Sequence, residues 1–159
     1  MRQSPAHHIE KTAIAAWRWT AVLFLFIPVL IIAASILTYI YFSWPWWVIA
    51  LAVLLFVIDL VLSVFLVPAL RWRRWKYEVF EQEIYIQHGI LIRRRTIVPM
   101  LRVQHVDTKQ GPILKHFSLA TVTISTAATT HEIPALSDGE ASDLRDRISE
   151  LARVDEDDV

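Results

Sequence analysis

Cysteine is absent from this chain, which removes thiol nucleophiles, disulfide cross-links and thiolate-held metals from the chemistry open to it. Glycine occurs only at Gly89, Gly111 and Gly139. That is too few for a phosphate-cradling loop, and no Gly-x-Gly-x-x-Gly, His-Glu-x-x-His or nucleophile-elbow pattern occurs. Net charge is missing as well, since sixteen Lys and Arg balance sixteen Asp and Glu. A neutral chain offers no basic domain of the kind that neutralises phosphates, so nucleic acid is not an expected partner. Charge is also missing locally. Thr20–Phe42 contains no charged residue, and Trp46–Leu70 contains only Asp59.

Those two runs organise the rest of the chain. Each exceeds the roughly 20 residues that carry a helix across about 30 Å of hydrocarbon. A 55% hydrophobic fraction and a positive mean hydropathy agree with an integral membrane protein. A soluble all-helical fold would have to bury two consecutive helices on every face, which 159 residues can hardly do. Residues 19–70 are therefore read as a transmembrane helical hairpin turning at Ser43-Trp44-Pro45-Trp46. The first run is too long for a secretory signal, and a second span follows at once. Arg2, Lys11 and Arg18 precede the hairpin, Arg71, Arg73, Arg74 and Lys76 follow it, and the connector has no Lys or Arg. The positive-inside rule then puts both termini in the cytoplasm.

Within the hairpin, Pro28 is expected to bend the first helix or loosen one turn. Trp44, Trp46 and Trp47 crowd the outer boundary, and Trp17, Trp19, Trp72 and Trp75 the inner one, as interfacial anchors. In Arg71-Trp72-Arg73-Arg74-Trp75-Lys76, cations stand beside aromatics where acidic headgroups lie within reach. Asp59, near mid-bilayer, needs a protein partner, a proton or water. Ser35, Thr38 and Ser63 are its candidate neighbours. Helix or subunit packing is the favoured role, ahead of contact with another membrane protein and of ion or proton transport.

Residues 1–18 read as a polar lead-in, exposed at the adjacent His7 and His8, with a short interfacial helix from Ile9 to Arg18. From residue 71 to 152 the pattern is one of short alternating stretches and then a helix. Strands are expected around Tyr77–Val79, Ile84–Ile86, Ile90–Val98, Val103–Thr108, Phe117–Thr126 and Thr129–Ile133. Gly111-Pro112 is expected to make a turn and Pro134 to end the last strand. Ser137 and Glu140 form a capping box, and Ala141, Leu144, Ile148 and Leu151 form an apolar stripe that should bury against the sheet. Residues 153–159 read as a frayed acidic tail.

No catalytic constellation emerges. His88, His105, His116 and His131 lack short ligand spacing, so no metal or cofactor is expected. His105 and Asp107 share a strand face and can pair. Alternation separates Arg93 and Arg95 from Arg94, which fits a solvated face or partner salt bridges, with acidic headgroups as the alternative.

The run Ile97-Val98-Pro99-Met100-Leu101-Arg102-Val103-Gln104-His105-Val106-Asp107, then Gln110-Gly111-Pro112-Ile113-Leu114, resembles the bacterial pleckstrin-homology-like membrane proteins. Phe117–Val122, Glu132-Ile133-Pro134-Ala135-Leu136 and Glu140–Arg145 continue the likeness in order. The resemblance implies a seven-stranded, strongly bent antiparallel sheet or partial barrel closed by a C-terminal helix, behind a two-helix hairpin. It also implies a non-enzymatic protein of the bacterial inner membrane, often paired with a larger relative carrying several such domains and associated with envelope stress or antimicrobial resistance. Arg102, Gln104 and His105 are its polar motif residues, with assembly contacts the expected role. Headgroup recognition in distant relatives uses a basic first hairpin, whereas Glu81 and Glu83 occupy the corresponding hairpin here. Two readings are carried forward. One is a scaffold or accessory subunit that assembles with itself or a multi-domain relative. The other is a bilayer-tethered module sensing anionic lipids.

Overall fold

Two proline-marked helical stretches make the hairpin. The computed structural model describes Pro5 and residues 7–157, with side chains to Arg153. The first stretch joins α1 (Ala13–Phe24) to α2 (Phe26–Phe42). The join at Leu25 lies one turn before Pro28, whose missing N–H and bulky ring disturb the preceding turn. The second stretch runs through α3 (Trp47–Leu60), a π-helical turn at Val61–Leu66 and α4 (Val67–Arg74). That widened turn precedes Pro68, which cannot donate to the Val64 carbonyl, so the ladder opens there. Both stretches, Ala13–Phe42 and Trp47–Arg74, are long and apolar enough to cross a membrane.

Trp17–Ala69 forms one compact unit, and the residues up to Ala16 join those from Leu70 onward in the other. His7 and His8 are exposed as expected, but the lead-in is not a loose tail. His7–His8 form strand β1, antiparallel to β2 (Lys76–Val79), with His7 opposite Tyr77 and His8 opposite Lys76. Ile9, Ala13 and Ala16 are almost fully buried. The Glu10 amide donates to the Ala135 carbonyl at 3.2 Å, and the Trp72 indole N–H donates to the Ile9 carbonyl at 2.9 Å. Nor is there a separate interfacial helix, because α1 begins at Ala13 and continues toward α2. Arg2 and Asp158 lie outside the described residues.

β2 pairs with β3 (Glu83–His88) and β3 with β4 (Arg94–Pro99), completing a four-stranded sheet in the order β1-β2-β3-β4. A 3-10 turn at Met100–Arg102 leads into the second sheet, β5 (Val103–Lys109), β6 (Leu119–Thr126) and β7 (Thr130–Ser137). The seven antiparallel strands expected are present, but the first is contributed from ahead of the hairpin. Helix α6 (Asp138–Asp157) packs on the second sheet and the 3-10 turn. Its stripe of Ala141, Leu144 and Ile148 is buried with Leu119, Val122, Ile124, Ile133 and Leu136.

Four local expectations are corrected. Ile90 and Ile92 lie outside β4, which starts at Arg94, because Gly89 at φ 113° turns the chain after β3. Gly111-Pro112 is not a simple turn but the start of helix α5 (Pro112–His116), with Pro112 in the first turn where its missing N–H costs nothing. Pro134 does not end β7. The pairing jumps from Ala120–Leu136 to Val122–Ile133, and Pro134 sits in that irregularity on an edge strand. The acidic segment remains helical to Asp157 instead of fraying from 153. The helix start behaves as expected on one side only. Ser137 Oγ accepts from the Glu140 amide at 3.3 Å, while the Glu140 carboxylate accepts from the Tyr77 hydroxyl at 2.6 Å.

Candidate functional site

Strand register brings together two basic clusters that lie apart in the sequence. β2 starts at Lys76, with only Trp75 between it and α4, so its first residues mark the end of the sheet at which the chain arrives from the hairpin. Lys76 lies opposite Gln87, Gln87 opposite Arg95, and His88 opposite Arg94. With neighbouring strands about 4.8 Å apart, the Arg94–Arg95 backbone sits only about 10 Å from Lys76. Arg71, Arg73, Arg74 and Lys76 thus share one end of the sheet with Arg94 and Arg95, and Arg93 adjoins them in the loop.

The other end of the same hairpin, Phe80–Glu83, carries Glu81 and Glu83. The first sheet is therefore polarised along its strands. No described carboxylate forms an ion pair with Arg73, Arg74, Arg93 or Arg94. Arg95 Nε donates to Gln87 Oε1 at 3.2 Å, which fixes its orientation without neutralising it.

The loop after β3 has a defined backbone. A Cβ on Gly89 would lie 2.0 Å from the Ile92 carbonyl oxygen, so the chain passes closely over itself and only glycine fits. Leu91 and Ile92 emerge at the tip, 96% and 76% exposed. At the root, the His88 ring stacks on Trp75 with centroids 5.0 Å apart. Burial lowers the His88 pKa first, and the cations Arg94 and Arg71 together with His131 lower it further. His8 stacks on Trp72 at 5.7 Å. Its pKa is lowered by burial and then by Lys76.

The sequence-predicted residues divide accordingly. Trp75 is buried, and Trp72 is half-buried and hydrogen-bonded, so both rings pack inside the soluble unit. Trp19, Trp44, Trp46 and Trp47 are exposed on the hairpin, and Trp17 is partly covered. Arg18 lies over the Phe65 ring at 5.7 Å, linking the two hairpin helices at one end. Arg102 and Gln104 line a cleft of about 550 Å³ with Ile97, Leu101 and the β6–β7 turn. His105 does not join them. It pairs with Asp107 at 3.1 Å on an exposed strand. Gly111 is exposed, and a Cβ there would meet nothing. No group of three His, Asp or Glu side chains suited to a metal occurs among the described residues.

Asp59 is exposed on the hairpin surface. Its expected neighbours are engaged elsewhere or idle: Ser35 Oγ donates to the Ile31 carbonyl at 2.8 Å and Thr38 Oγ1 to the Ser35 carbonyl at 2.9 Å. Ser63 Oγ, inside the π turn, is buried without a hydrogen bond among the described residues. Sequence reasoning found both basic clusters but missed Leu91 and Ile92, which it placed in a strand. The signal available was Gly89 followed by an apolar pair and three arginines.

The family model for the bacterial PH domain matches residues 12–152. The chain is 49% identical over 160 residues to the UPF0699 transmembrane protein YdbS of Bacillus subtilis (strain 168), covering all of both chains. It is 28% identical over 92 residues to the UPF0699 transmembrane protein YdbT of the same organism, covering 57% of this chain and 19% of that one. No solved structure matches.

Proposed function

Because this chain belongs to the bacterial PH domain family, we propose that it is a non-enzymatic scaffold or accessory subunit of the bacterial inner membrane, both termini cytoplasmic. It assembles through its hairpin with a second copy or with a related membrane protein carrying several such domains. The resemblance gives envelope stress or antimicrobial resistance as the setting. One observation carries the reading: Asp59 is exposed midway along the second span with no pairing side chain among the described residues. A carboxyl group facing hydrocarbon is costly and calls for a polar partner. The chain's own hydroxyls do not supply one, and a polar group on a second protein would. The match to part of a larger transmembrane relative adds a candidate of the right kind.

The test is native mass measurement of the full chain extracted in mild detergent, wild type against Asp59→Asn and Asp59→Ala. Assembly is expected to weaken with Asn and to be lost with Ala. Unchanged assembly in both variants, at unchanged thermal stability, would remove this reading.

A further inference from the structure

We propose that the Gly89–Arg93 loop is a second membrane contact, with Leu91 and Ile92 entering the acyl boundary of an anionic bilayer and Arg93 and Arg94 holding its phosphate headgroups. Four observations converge on it. Leu91 and Ile92 are the two most exposed large apolar side chains outside the hairpin among the described residues, and a soluble loop tip rarely presents two such residues together. Register places the loop at the same end of the first sheet as Lys76, where β2 begins two positions after the last residue of α4. Cations cluster at that end, which suits an anionic leaflet, while Glu81 and Glu83 stand at the far end, where such a leaflet would repel them least. Finally, Gly89 and the Trp75–His88 stack hold the loop in one shape, so the tip is presented ready-made.

The occupant is a lipid surface, not a protein groove. Leu91 and Ile92 stand exposed at the tip, and Arg93 and Arg94 have no described carboxylate partners. The contact would fix the soluble unit against the headgroups at a second point and make its placement sensitive to anionic lipid content. It needs the membrane hairpin but not the Asp59 assembly, so the two proposals fail separately.

The chain lacks cysteine, so a single thiol can be placed at will. Leu91→Cys and, as a control at the acidic end, Gln82→Cys are labelled with nitrobenzoxadiazole in the full chain and reconstituted in nanodiscs. The discs contain phosphatidylcholine with or without phosphatidylglycerol and carry nitroxide-labelled lipid. The label at 91 should shift to the blue and be quenched in the anionic discs, while the label at 82 stays in water. Arg93→Glu with Arg94→Glu should reduce that quenching severalfold. Equal water exposure at both positions overturns the proposal, as does equal quenching in neutral and anionic discs. A blue shift that follows protein density without lipid quenching also overturns it, since a second copy would then cover the loop.

Discussion

The Trp75 indole lies over the His88 imidazole, centroids 5.0 Å apart and planes 17° from parallel. Trp75 is the first residue after α4 and His88 the last of β3. The stack therefore ties the exit from the hairpin to the root of the loop that carries Leu91 and Ile92.

This pairing makes stability depend on pH. His88 and His8 both have lowered pKa values in the fold, by burial first and by neighbouring cations second. The unfolded chain takes up these protons near the ordinary histidine value of about 6.5, and the folded chain only at lower pH. Their contribution is thus intact above about pH 6.5 and lost as pH falls through the folded values. The thermal midpoint of the reconstituted chain should drop between about pH 7 and about pH 5. His88→Phe should drop less; an identical slope would exclude His88 as a contributor.

Gly89→Ala should be costly despite its surface position. The backbone stands at φ 113°, and the new methyl would collide with the Ile92 carbonyl. A strained positive-φ residue costs about 1–3 kcal/mol, and the clash adds to it. Denaturant unfolding of the variant should show a loss at the upper end of that range. By contrast, Gly111→Ala should be near neutral, because its Cβ has open space and its φ is ordinary.

Tyr77→Phe tests the tie between the first sheet and α6. The Tyr77 hydroxyl donates to Glu140 Oε1 at 2.6 Å. Burial, that bond and the Glu140 and Glu10 charges all hold its proton on, pushing its pKa up. Hydrogen bonds to charged groups are worth about 1.5–3 kcal/mol, so Phe should lose about that much in chemical denaturation. Ser137→Ala, which removes the cap of the same helix, should cost about 1 kcal/mol.

The amino-terminal strand should be needed by the soluble unit. Ile9 is buried and its carbonyl accepts from Trp72, while His7 and His8 extend the sheet. Trp72→Phe should speed amide hydrogen exchange across residues 7–10 while leaving β6 protected. A fragment beginning at Lys76 should unfold more readily than the full chain. If that fragment matched the full chain in exchange protection, β1 would be ornamental.

The hairpin was legible from composition alone, because transfer of side chains into hydrocarbon is additive along a helix and needs no distant partner. The break before Pro28 and the start of α6 at Ser137 were legible for a similar reason, since both are set within one turn of chain. Pro68 carries the same kind of local information for the π turn at Val61–Leu66. Strand ends were harder. Gly89 and Pro134 act through positive φ and a pairing irregularity, neither of which appears in an alternation of apolar residues.

By itself, then, the sequence determined that two long apolar helices precede a mixed domain, with cations flanking them and a lone carboxyl within. Only the tertiary structure decided that His7–His8 join the sheet although the hairpin separates them from β2 in sequence, and that Arg94 and Arg95 arrive beside Lys76. Strand pairing is a long-range choice in which a shift of one residue exchanges the faces of every side chain. Nothing local to either arginine cluster encodes the register that unites them; the burial of Ile84, Ile86 and Val98 in the core does.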